Sequence, residues 1–269
     1  MTIAITRAFK FDSDARAATL LRRYEHKYLV PESLLPALRR IIAPYTTPDA
    51  HATRGAGNGS RQYVVRSIYF DSPQLMHYQE SEEGVDFRVK PRIRGYDELQ
   101  SDSVVFLELK RRRGTMTSKE RVPVPFDDLR ELFAGRAERL RDARRRARHF
   151  LFHLRRDALR PVLLVVYDRE PYVGVFEQSL RLTFDRHMRS VAWPRIGALF
   201  AERHARPSLR GFFTLEVKHD EAFGFPVWLR RFIAERGLVR QALSKYWTCG
   251  TDQQIARTPL AVRRSLASV

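Results

Sequence analysis

Between Phe87 and Arg94, cationic side chains alternate with apolar ones. The four cations are Arg88, Lys90, Arg92 and Arg94. In a β-strand, residues at i and i+2 share a face, so one face of this segment would be wholly cationic. Two such charges about 4 Å apart repel by about 4 kcal/mol at an effective dielectric of about 20. The spacing therefore predicts a site that binds an anion, and Lys and Arg are the side chains that suit phosphate.

A second spacing places a carboxylate two residues before a lysine. This Glu-x-Lys pattern occurs three times, as Glu25 with Lys27, Glu108 with Lys110, and Glu216 with Lys218. Charged residues are also paired at i and i+2 as Lys119 with Arg121 and Arg181 with Asp185. If about eight such strands close into a barrel, the charged faces line a polar tunnel for a polyphosphate chain. The carboxylates would then be available to a divalent cation.

The same charges have a simpler explanation, because antiparallel sheets usually expose one solvated face. Two segments argue against it for the set as a whole. In residues 104–110 and 212–218, one face begins apolar and ends charged, while the opposite face is apolar throughout. A face of that kind is packed at one end and open to a polar partner at the other.

The elements that must position these residues are mostly strands, because the hydropathy pattern has a period of two. Strand candidates are Arg23 to Val30, Gln62 to Phe70, Val85 to Arg94, Ser103 to Arg111, Ser118 to Val124, Val162 to Arg169, Tyr172 to Phe176, Leu180 to Arg186 and Gly211 to Lys218. Helix candidates are Pro31 to Ile42, Ser72 to Glu80, Phe126 to Phe133, Arg136 to Arg160 and Ala222 to Arg236. Many strands with few helices between them favour antiparallel pairing and an α+β fold. The Gly-rich segment from His51 to Ser60 is expected to be an exposed loop.

Composition narrows the class of protein. The chain has 269 residues and a formal net charge of +18, and 43% of its residues are hydrophobic, which is enough for a folded core. The lone Cys249 excludes a disulfide scaffold and a zinc finger. We expect a soluble, cytoplasmic protein, since no signal peptide or apolar run of about 20 residues is present. The charge predicts a polyanionic partner, which is nucleic acid, anionic lipid, or a phosphorylated small molecule or polymer.

An ordered series of short motifs carries a resemblance to a known family. The motifs are Arg23-Tyr24-Glu25-His26-Lys27-Tyr28, Arg66-Ser67-Ile68-Tyr69-Phe70-Asp71, Lys90-x-Arg92-x-Arg94-x-Tyr96, Glu108-x-Lys110, Lys119-x-Arg121, Tyr167-x-Arg169, Arg181-x-Thr183-x-Asp185, Leu215-Glu216-Val217-Lys218 and Ser244-Lys245-Tyr246. In this order they resemble the polyphosphate polymerase (VTC) domain of the CYTH-like, or triphosphate tunnel metalloenzyme, superfamily. The resemblance covers roughly Arg22 to Trp247.

The resemblance implies a fold and an activity. The fold is an α+β, closed antiparallel β-barrel of about eight strands with flanking helices, which forms the triphosphate tunnel. The expected organisation is a lead-in at 1–21, the tunnel domain at 22–250 and a tail at 251–269. The implied enzyme is a phosphotransferase that moves the γ-phosphate of ATP onto a growing polyphosphate chain, with Mn²⁺ or Mg²⁺ as cofactor.

The resemblance also implies roles for individual residues. The catalytic positions are Lys27, Arg92, Arg94, Arg169 and Lys245. The substrate-binding positions are Arg88, Lys90, Lys110, Lys119, Arg121, Tyr167, Arg181, Lys218 and Ser244. Glu216 matches the metal ligand, and Glu108 and Glu25 are further candidates. Alignment within Phe87 to Tyr96 is ambiguous by one i+2 step, so Arg88 and Lys90 could share the role given to Arg92 and Arg94.

Several alternatives stay open. Hydrolytic relatives carry Glu-x-Glu-x-Lys, and here Arg23 stands two positions before Glu25, so the resemblance favours the polymerase branch over the tripolyphosphatase and adenylyl cyclase branches. Hydrolysis of tripolyphosphate or of a nucleoside triphosphate in the same tunnel is a second enzymatic alternative. A non-catalytic polyphosphate-binding module is also consistent with the residues. The Arg-rich helix candidate from Arg136 to Arg160 has the charge of a nucleic-acid or acidic-lipid surface, but a solvated helix packed through its apolar side is favoured. We therefore expect ATP and polyphosphate as partners, with no specific nucleic acid and no integral membrane association.

Overall fold

The structure is a computed structural model that describes residues 23–50, 52, 61–113, 116–135 and 138–265. The predicted lead-in at 1–21 lies outside the described residues. The same is true of the predicted loop from His51 to Ser60 apart from Ala52, and of the first two residues of the helix candidate from Arg136 to Arg160.

Ten β-strands form one antiparallel sheet within the described residues. They are β1, Arg23–Pro31; β2, Thr46–Pro48; β3, Tyr63–Asp71; β4, Phe87–Tyr96; β5, Val104–Arg113; β6, Met116–Pro125; β7, Arg160–Gly174; β8, Arg181–Ala192; β9, Arg206–Pro207; and β10, Phe212–Asp220. Eight of them follow one path in the order β1-β10-β8-β7-β3-β4-β5-β6, while the short β2 pairs with β7 and the short β9 with β8.

Helices flank this sheet. The α-helices among the described residues are α1, Leu35–Ile42; α2, Met76–Glu82; α3, Leu129–Ala134; α4, Arg141–Arg146; α5, Arg148–Arg156; α6, Val227–Glu235; α7, Lys245–Asp252; and α8, Leu260–Ser265. Short 3₁₀ turns precede several of them, as at Glu32–Leu34 and Phe126–Asp128. Within the described part of the chain, no helix is both long and apolar enough to cross a bilayer.

The predicted α+β antiparallel sheet is confirmed, but the sheet is not closed into a barrel. β1 and β6 end the strand order, and they do not pair with each other in the described residues. The outer edge of β1 is taken by the chain that leads into α7, since the Gln241 amide donates to the Lys27 carbonyl at 2.9 Å and Arg240 bridges to Tyr28. That segment therefore occupies part of the β1 edge that barrel closure would have used.

The open sheet is nevertheless strongly curled. Lys110 of β5 and Glu25 of β1 lie near opposite ends of the strand order, yet the Lys110 Nζ is 3.9 Å from the Glu25 Oε2. The face that carries these two side chains is therefore the concave one, and we call it the inner face. Because side chains alternate along a strand, the opposite face of each strand is the outer face.

Two hydrophobic clusters pack against the outer face. One joins Ile93 and Leu107 of β4 and β5 to Leu132 of α3 and Phe150 of α5. The other packs side chains of α1 and α6 on Phe213, Leu215 and Val217 of β10 and on neighbouring strands. The period-two pattern thus buries the apolar residues under helices and leaves the charged partners at i±1 on the inner face.

A third cluster lies on part of the inner face. Tyr246 and Cys249 of α7 pack there with Tyr69, Leu163 and Val165 of the central strands. Tyr246 stacks on Tyr69 with 5.2 Å between ring centroids. Helix α7 therefore covers one region of the inner face, and its first residue, Lys245, reaches the charged region beside it.

Pro91 marks the place where β4 separates from β3. The β3–β4 pairing runs from Tyr96 only to Arg92, while the β4–β5 pairing continues to Phe87. Proline has no N–H to donate to a ladder, which is consistent with the end of pairing beside it. The separation leaves Lys90 next to the start of α7, where its Nζ donates to the Ser244 Oγ at 2.8 Å.

The structure corrects several predicted boundaries. The strand candidates Val162 to Arg169 and Tyr172 to Phe176 form one strand, β7, with a bulge near Val166. The predicted helix from Arg136 to Arg160 is two short helices, α4 and α5, which break at Ala147. Strands β2 and β9 and helices α7 and α8 were not predicted. The segment 251–269, predicted as a tail, contains the last residues of α7 and the whole of α8.

Candidate functional site

The predicted site residues converge on the inner face and on the first residues of α7. Seven strands and this helix supply them. The cations are Lys27 of β1; Arg88, Lys90, Arg92 and Arg94 of β4; Lys110 of β5; Lys119 and Arg121 of β6; Arg169 of β7; Arg181 of β8; Lys218 of β10; and Lys245 of α7. Alternation along each strand aims the charged members of each pattern at the same concavity.

The register of β4, β5 and β6 arranges these charges in rows across the sheet. Lys90, Lys110 and Lys119 lie opposite one another in one row. Like charges directly opposite each other destabilise a sheet. This row therefore stores repulsion that a bound anion would relieve.

The row of lysines is also partly desolvated. Burial, and then the neighbouring Lys27, Arg88, Lys110 and Arg92, lower the pKa of Lys90 to about 7. Burial likewise lowers the pKa of Lys119 to about 8, against the opposing effect of Glu108. Lysines in such surroundings gain strongly from a negative partner.

The next row carries a carboxylate at its centre. Glu108 lies between Arg92 and Arg121 in the register of β4, β5 and β6, and its side chain is fully buried. The Arg92 Nε donates to the Glu108 Oε2 at 2.7 Å, and the Lys119 Nζ lies 2.7 Å from the Oε1. Arg121 and Arg94 complete a shell of four cations at 3.3 and 3.8 Å.

The arginines of this region are further oriented by aromatic and hydroxyl groups. Arg92 donates to the Tyr69 hydroxyl at 3.1 Å, and the Arg94 Nε donates to the Ser67 Oγ at 3.2 Å. The Arg121 guanidinium lies over the Phe106 ring, 3.5 Å from its centroid. Fixed guanidinium planes of this kind suit two-pronged contacts to phosphate oxygens.

A second buried carboxylate, Asp185 of β8, organises the region around α7. It accepts both arms of Arg169, at 2.7 and 2.8 Å, and its Oδ2 is 2.7 Å from the Lys245 Nζ. Burial alone would lower the pKa of Lys245, but Asp185, Tyr167 and Glu216 outweigh it and raise that pKa above its ordinary value. Lys245 is therefore a permanent positive charge, and its ammonium also faces the Tyr167 ring at 4.9 Å.

The remaining two carboxylates lie together on β1 and β10. The Lys218 Nζ is 2.5 Å from the Glu216 Oε1 and 3.9 Å from the Glu25 Oε2. Burial and the nearby Glu216 each raise the pKa of Glu25, but Lys27, Lys110 and Lys218 outweigh them and hold it below its usual value. Both groups are therefore ionised at neutral pH, as a metal ligand must be.

These three glutamates differ in how well they suit a divalent cation. Glu216 and Glu25 are hard oxygen donors that share one lysine, so they fit Mg²⁺ or Mn²⁺ if phosphate oxygens and water supply the other ligands. Within the described residues, no three His, Cys, Asp or Glu side chains are grouped as a metal site. Glu108, by contrast, is enclosed by four cations, which is an unfavourable place for a further positive ion.

A cavity of about 280 Å³ opens beside this carboxylate pair. It is lined by the predicted residues Arg181, Glu216 and Lys218, together with Asp49, Tyr63, Pro171, Tyr172 and Thr183. The Arg181 NH1 is held 2.8 Å from the Asp49 Oδ2. A larger cavity of about 540 Å³ lies near Arg39 and Glu170, whose guanidinium and carboxylate are already paired with each other, away from the cation cluster.

Sequence reasoning missed some members of the site. The i+2 rule could have found Thr183, which stands between Arg181 and Asp185 on the same face, and its buried Oγ1 has no hydrogen-bond partner among the described residues. Asp49 had no such signal, because it follows a three-residue strand with no period of its own. The structure also shows where the four cations of β4 lie. All four cations share the inner face, with Arg92 and Arg94 beside Glu108, Lys90 beside Ser244 and Arg88 near Arg112.

Comparison with known proteins gives one clear match. The family described as VTC domain matches residues 22–251. No curated protein matches significantly. Among solved structures, the PH1819 protein from Pyrococcus horikoshii OT3 is similar over 86% of this chain and 99% of its own, with 14% identity and a TM-score of 0.43. A similarity of that degree assigns neither a fold nor a function.

Proposed function

Because the chain belongs to the VTC domain family, which is associated with polyphosphate synthesis, we propose that it is a metal-dependent polyphosphate polymerase. In the proposed reaction, the γ-phosphate of ATP is transferred to the end of a polyphosphate chain that lies along the inner face. ADP and a chain longer by one phosphate are the products.

One observation carries the proposal, namely that cations from seven strands and α7 face one concavity and outnumber the carboxylates among them. The rows formed by β4, β5 and β6 continue through Lys110 and Glu25 to β1, and through Lys218 and Glu216 to β10. A linear polyanion with a charge on every unit matches such a surface, whereas a compact monoanion would leave most of it unsatisfied. Phosphate is the repeating unit that these side chains bind best.

Phosphoryl transfer requires mainly positioning and charge neutralisation from the protein. In the proposed mechanism, Arg92 and Arg94 present their positive charge to phosphate oxygens, and Lys27, Lys110 and Lys218 act as point charges along the chain. Arg169 and Lys245, both anchored by Asp185, neutralise charge that develops on the transferring group. The attacking oxygen of a polyphosphate terminus is already anionic, so no general base is needed.

The proposed metal role belongs to Glu216 and Glu25, for the reasons of charge and donor type given above. Bound Mg²⁺ or Mn²⁺ would supply Lewis-acid neutralisation of the triphosphate oxygens. The protein's part is to present these two ionised carboxylates beside Lys218, at the edge of the cavity that Arg181 lines.

The first test is a turnover assay of the purified protein with ATP and MnCl₂, with and without a short polyphosphate primer. ADP release and polymer on a gel stained for polyphosphate are followed together. The proposal expects both to grow in parallel, and expects Arg94→Ala and Glu216→Ala to lower the rate of polymer formation by at least about 10²-fold, as for loss of a group that stabilises transition-state charge.

The matched control is Arg231→Ala, which removes an exposed arginine of α6 that pairs with Glu235 and lies outside the inner face. It should leave the rate unchanged. ADP or phosphate release without polymer would replace the proposal with a triphosphate hydrolase. Tight, salt-sensitive polyphosphate binding without turnover would replace it with a binding module.

A further inference from the structure

Glu108 is a fully buried carboxylate within the densest group of cations on the inner face. Its oxygens are contacted by Arg92, Arg94, Lys119 and Arg121, and these contacts hold its pKa well below the ordinary value even though burial acts in the opposite direction. A metal ion is disfavoured there by the same four charges. The role of this carboxylate in a site for polyanions therefore needs a separate explanation.

The two oxygens of Glu108 have different partners. The Oε2 accepts a hydrogen bond from Arg92. The Oε1 has the Lys119 Nζ at 2.7 Å and the Arg121 Nε at 3.3 Å. Glu108 therefore offsets part of the charge of these two cations, while a lysine ammonium with three N–H groups and an arginine guanidinium with five retain donors for a further acceptor.

Exposure follows the same division. The side chains of Lys119 and Arg121 are each 38% exposed, whereas those of Arg92 and Arg94 are 15% and 8% exposed. Glu108 thus lies beneath two accessible cations and beside two buried ones. Asp185 differs, because its partners Arg169 and Lys245 are only 16% and 13% exposed.

We propose that Glu108 is a built-in counter-ion of the polyphosphate site. It is a positioning residue that holds four mutually repelling cations together when no ligand is present, and its own charge weakens their hold on a bound chain. A chain that must advance by one unit in each cycle needs binding that is favourable at many points and too weak at any one of them to trap it. This inference rests on the proposed function, because only a moving chain requires such weakening.

The test is Glu108→Gln, which keeps the size and an acceptor for Arg92 and removes the charge. Binding of tripolyphosphate alone, without nucleotide or metal, is measured by calorimetry. The dissociation constant should fall by at least about tenfold, because one repulsive charge a few ångströms from the ligand is removed. In the polymerase assay, KM and kcat should both fall, since a tighter hold on the chain slows its advance.

Folding is monitored separately. Without ligand, the variant should melt at a lower temperature than the wild type, because the four cations have lost their counter-ion. Tripolyphosphate should then raise its melting temperature by more than it raises that of the wild type. Glu108→Asp, which restores the charge, should return the dissociation constant towards the wild-type value.

The control is Glu120→Gln, on the same hairpin but on the outer face, where Glu120 pairs with Arg111 and His149. It should bind tripolyphosphate as the wild type does. Unchanged or weaker binding by Glu108→Gln would overturn the counter-ion role, even if the wild type makes polymer. Tighter binding in a protein that makes no polymer would keep the counter-ion and reject the polymerase. A wild-type protein that does not bind tripolyphosphate would reject both.

Discussion

At the scale of single residues, the protonation of one lysine is sensitive to the occupancy of the site. Lys90 is the member of the lysine row whose contact in the free protein is a hydroxyl, the Ser244 Oγ, at 2.8 Å. Its neighbours Lys27, Arg88, Lys110 and Arg92 are all cationic, and burial adds to their effect on its pKa. A bound phosphate would reverse this balance and favour the charged ammonium.

Polyphosphate affinity should therefore depend on pH through Lys90. In the free protein its pKa is about 7, and in the complex it is higher. Between these two values binding takes up a proton, so affinity falls as pH rises above 7, by up to about tenfold per pH unit from this group. Below pH 7 the lysine is already charged, and its contribution to the slope disappears.

Calorimetric titration with tripolyphosphate from pH 6 to pH 9 measures this slope. Lys90→Arg is the comparison, because an arginine stays charged throughout. The ligand's own ionisation affects both proteins equally and cancels in the difference. The wild type should lose affinity more steeply than the variant above pH 7, and parallel curves would rule out this role for Lys90.

The cations of the site could be predicted from the sequence, but not all of the carboxylates and hydroxyl groups that pair with them could. Alternation alone placed Arg88, Lys90, Arg92 and Arg94 on one face, and the register of the sheet agrees with it. Which carboxylate pairs with which cation depends on contacts between distant elements. For example, Asp185 of β8 pairs with Lys245 of α7, 60 positions later in the sequence. Such pairings follow from tertiary packing, which a single strand's period does not contain.

At the scale of elements, one buried carboxylate connects three of them. Asp71, at the end of β3, accepts the amides of Ser72, His77 and Tyr78 at 2.7, 2.9 and 2.9 Å, and so holds the start of α2. Its Oδ2 also accepts the Tyr246 hydroxyl at 2.7 Å. Because Tyr246 directly follows Ser244 and Lys245, this hydrogen bond fixes the end of α7 that enters the charged region.

Loss of that hydroxyl should weaken both the fold and the site. Tyr246→Phe should lower the free energy of unfolding by about 1.5–3 kcal/mol, the range for a hydrogen bond to a charged group. It should also weaken tripolyphosphate binding, since Lys245 is no longer held in position. Urea unfolding and calorimetry measure the two effects.

Tyr78→Phe separates stability from positioning. The Tyr78 hydroxyl hydrogen-bonds to the Thr251 Oγ1 at 2.8 Å, near the far end of α7. Its loss should cost stability, by about 1 kcal/mol, and leave the affinity for tripolyphosphate unchanged. Equal loss of affinity in both variants would mean that α7 acts only through general stability.

Helix α7 was not predicted, unlike the elements that have a clear hydropathy period, and its composition shows why. Its sequence, Lys245 to Asp252, contains two aromatic residues, two threonines and Gly250, none of which favours a helix. Packing overrides that preference. A Cβ at Gly250 would lie 2.8 Å from the Ile255 Cδ1 and 2.9 Å from the Tyr78 Cε2, so glycine is required where α7 meets its neighbours.

At the scale of the whole molecule, the sheet curls without closing. A closed barrel was expected because an open curled sheet and a closed barrel can both have charged inner faces and eight long strands. The hydropathy period of a strand is also the same in the two forms. The open sheet and the closed barrel differ in whether the two edge strands pair with each other. The chain at Arg240 and Gln241 pairs with β1, whereas β6 pairs only with β5 among the described residues.

β6 is therefore an edge strand with which a strand from a second copy of the chain could pair. Two prolines, Pro123 and Pro125, occupy it, and a residue without an N–H cannot add a rung to a foreign strand. The net charge of +18 adds repulsion between copies. Together they oppose self-association at an edge that barrel closure would have removed.

Pro123→Thr should therefore increase self-association, and more so in high salt, where repulsion between copies is screened. Static light scattering at rising salt measures it, with Pro207→Thr as the control, because the two-residue strand β9 is too short to act as a template. Equal scattering by the two variants would remove this role from Pro123. Pro123 thus opposes the assembly of copies of this protein, edge to edge, into a fibre.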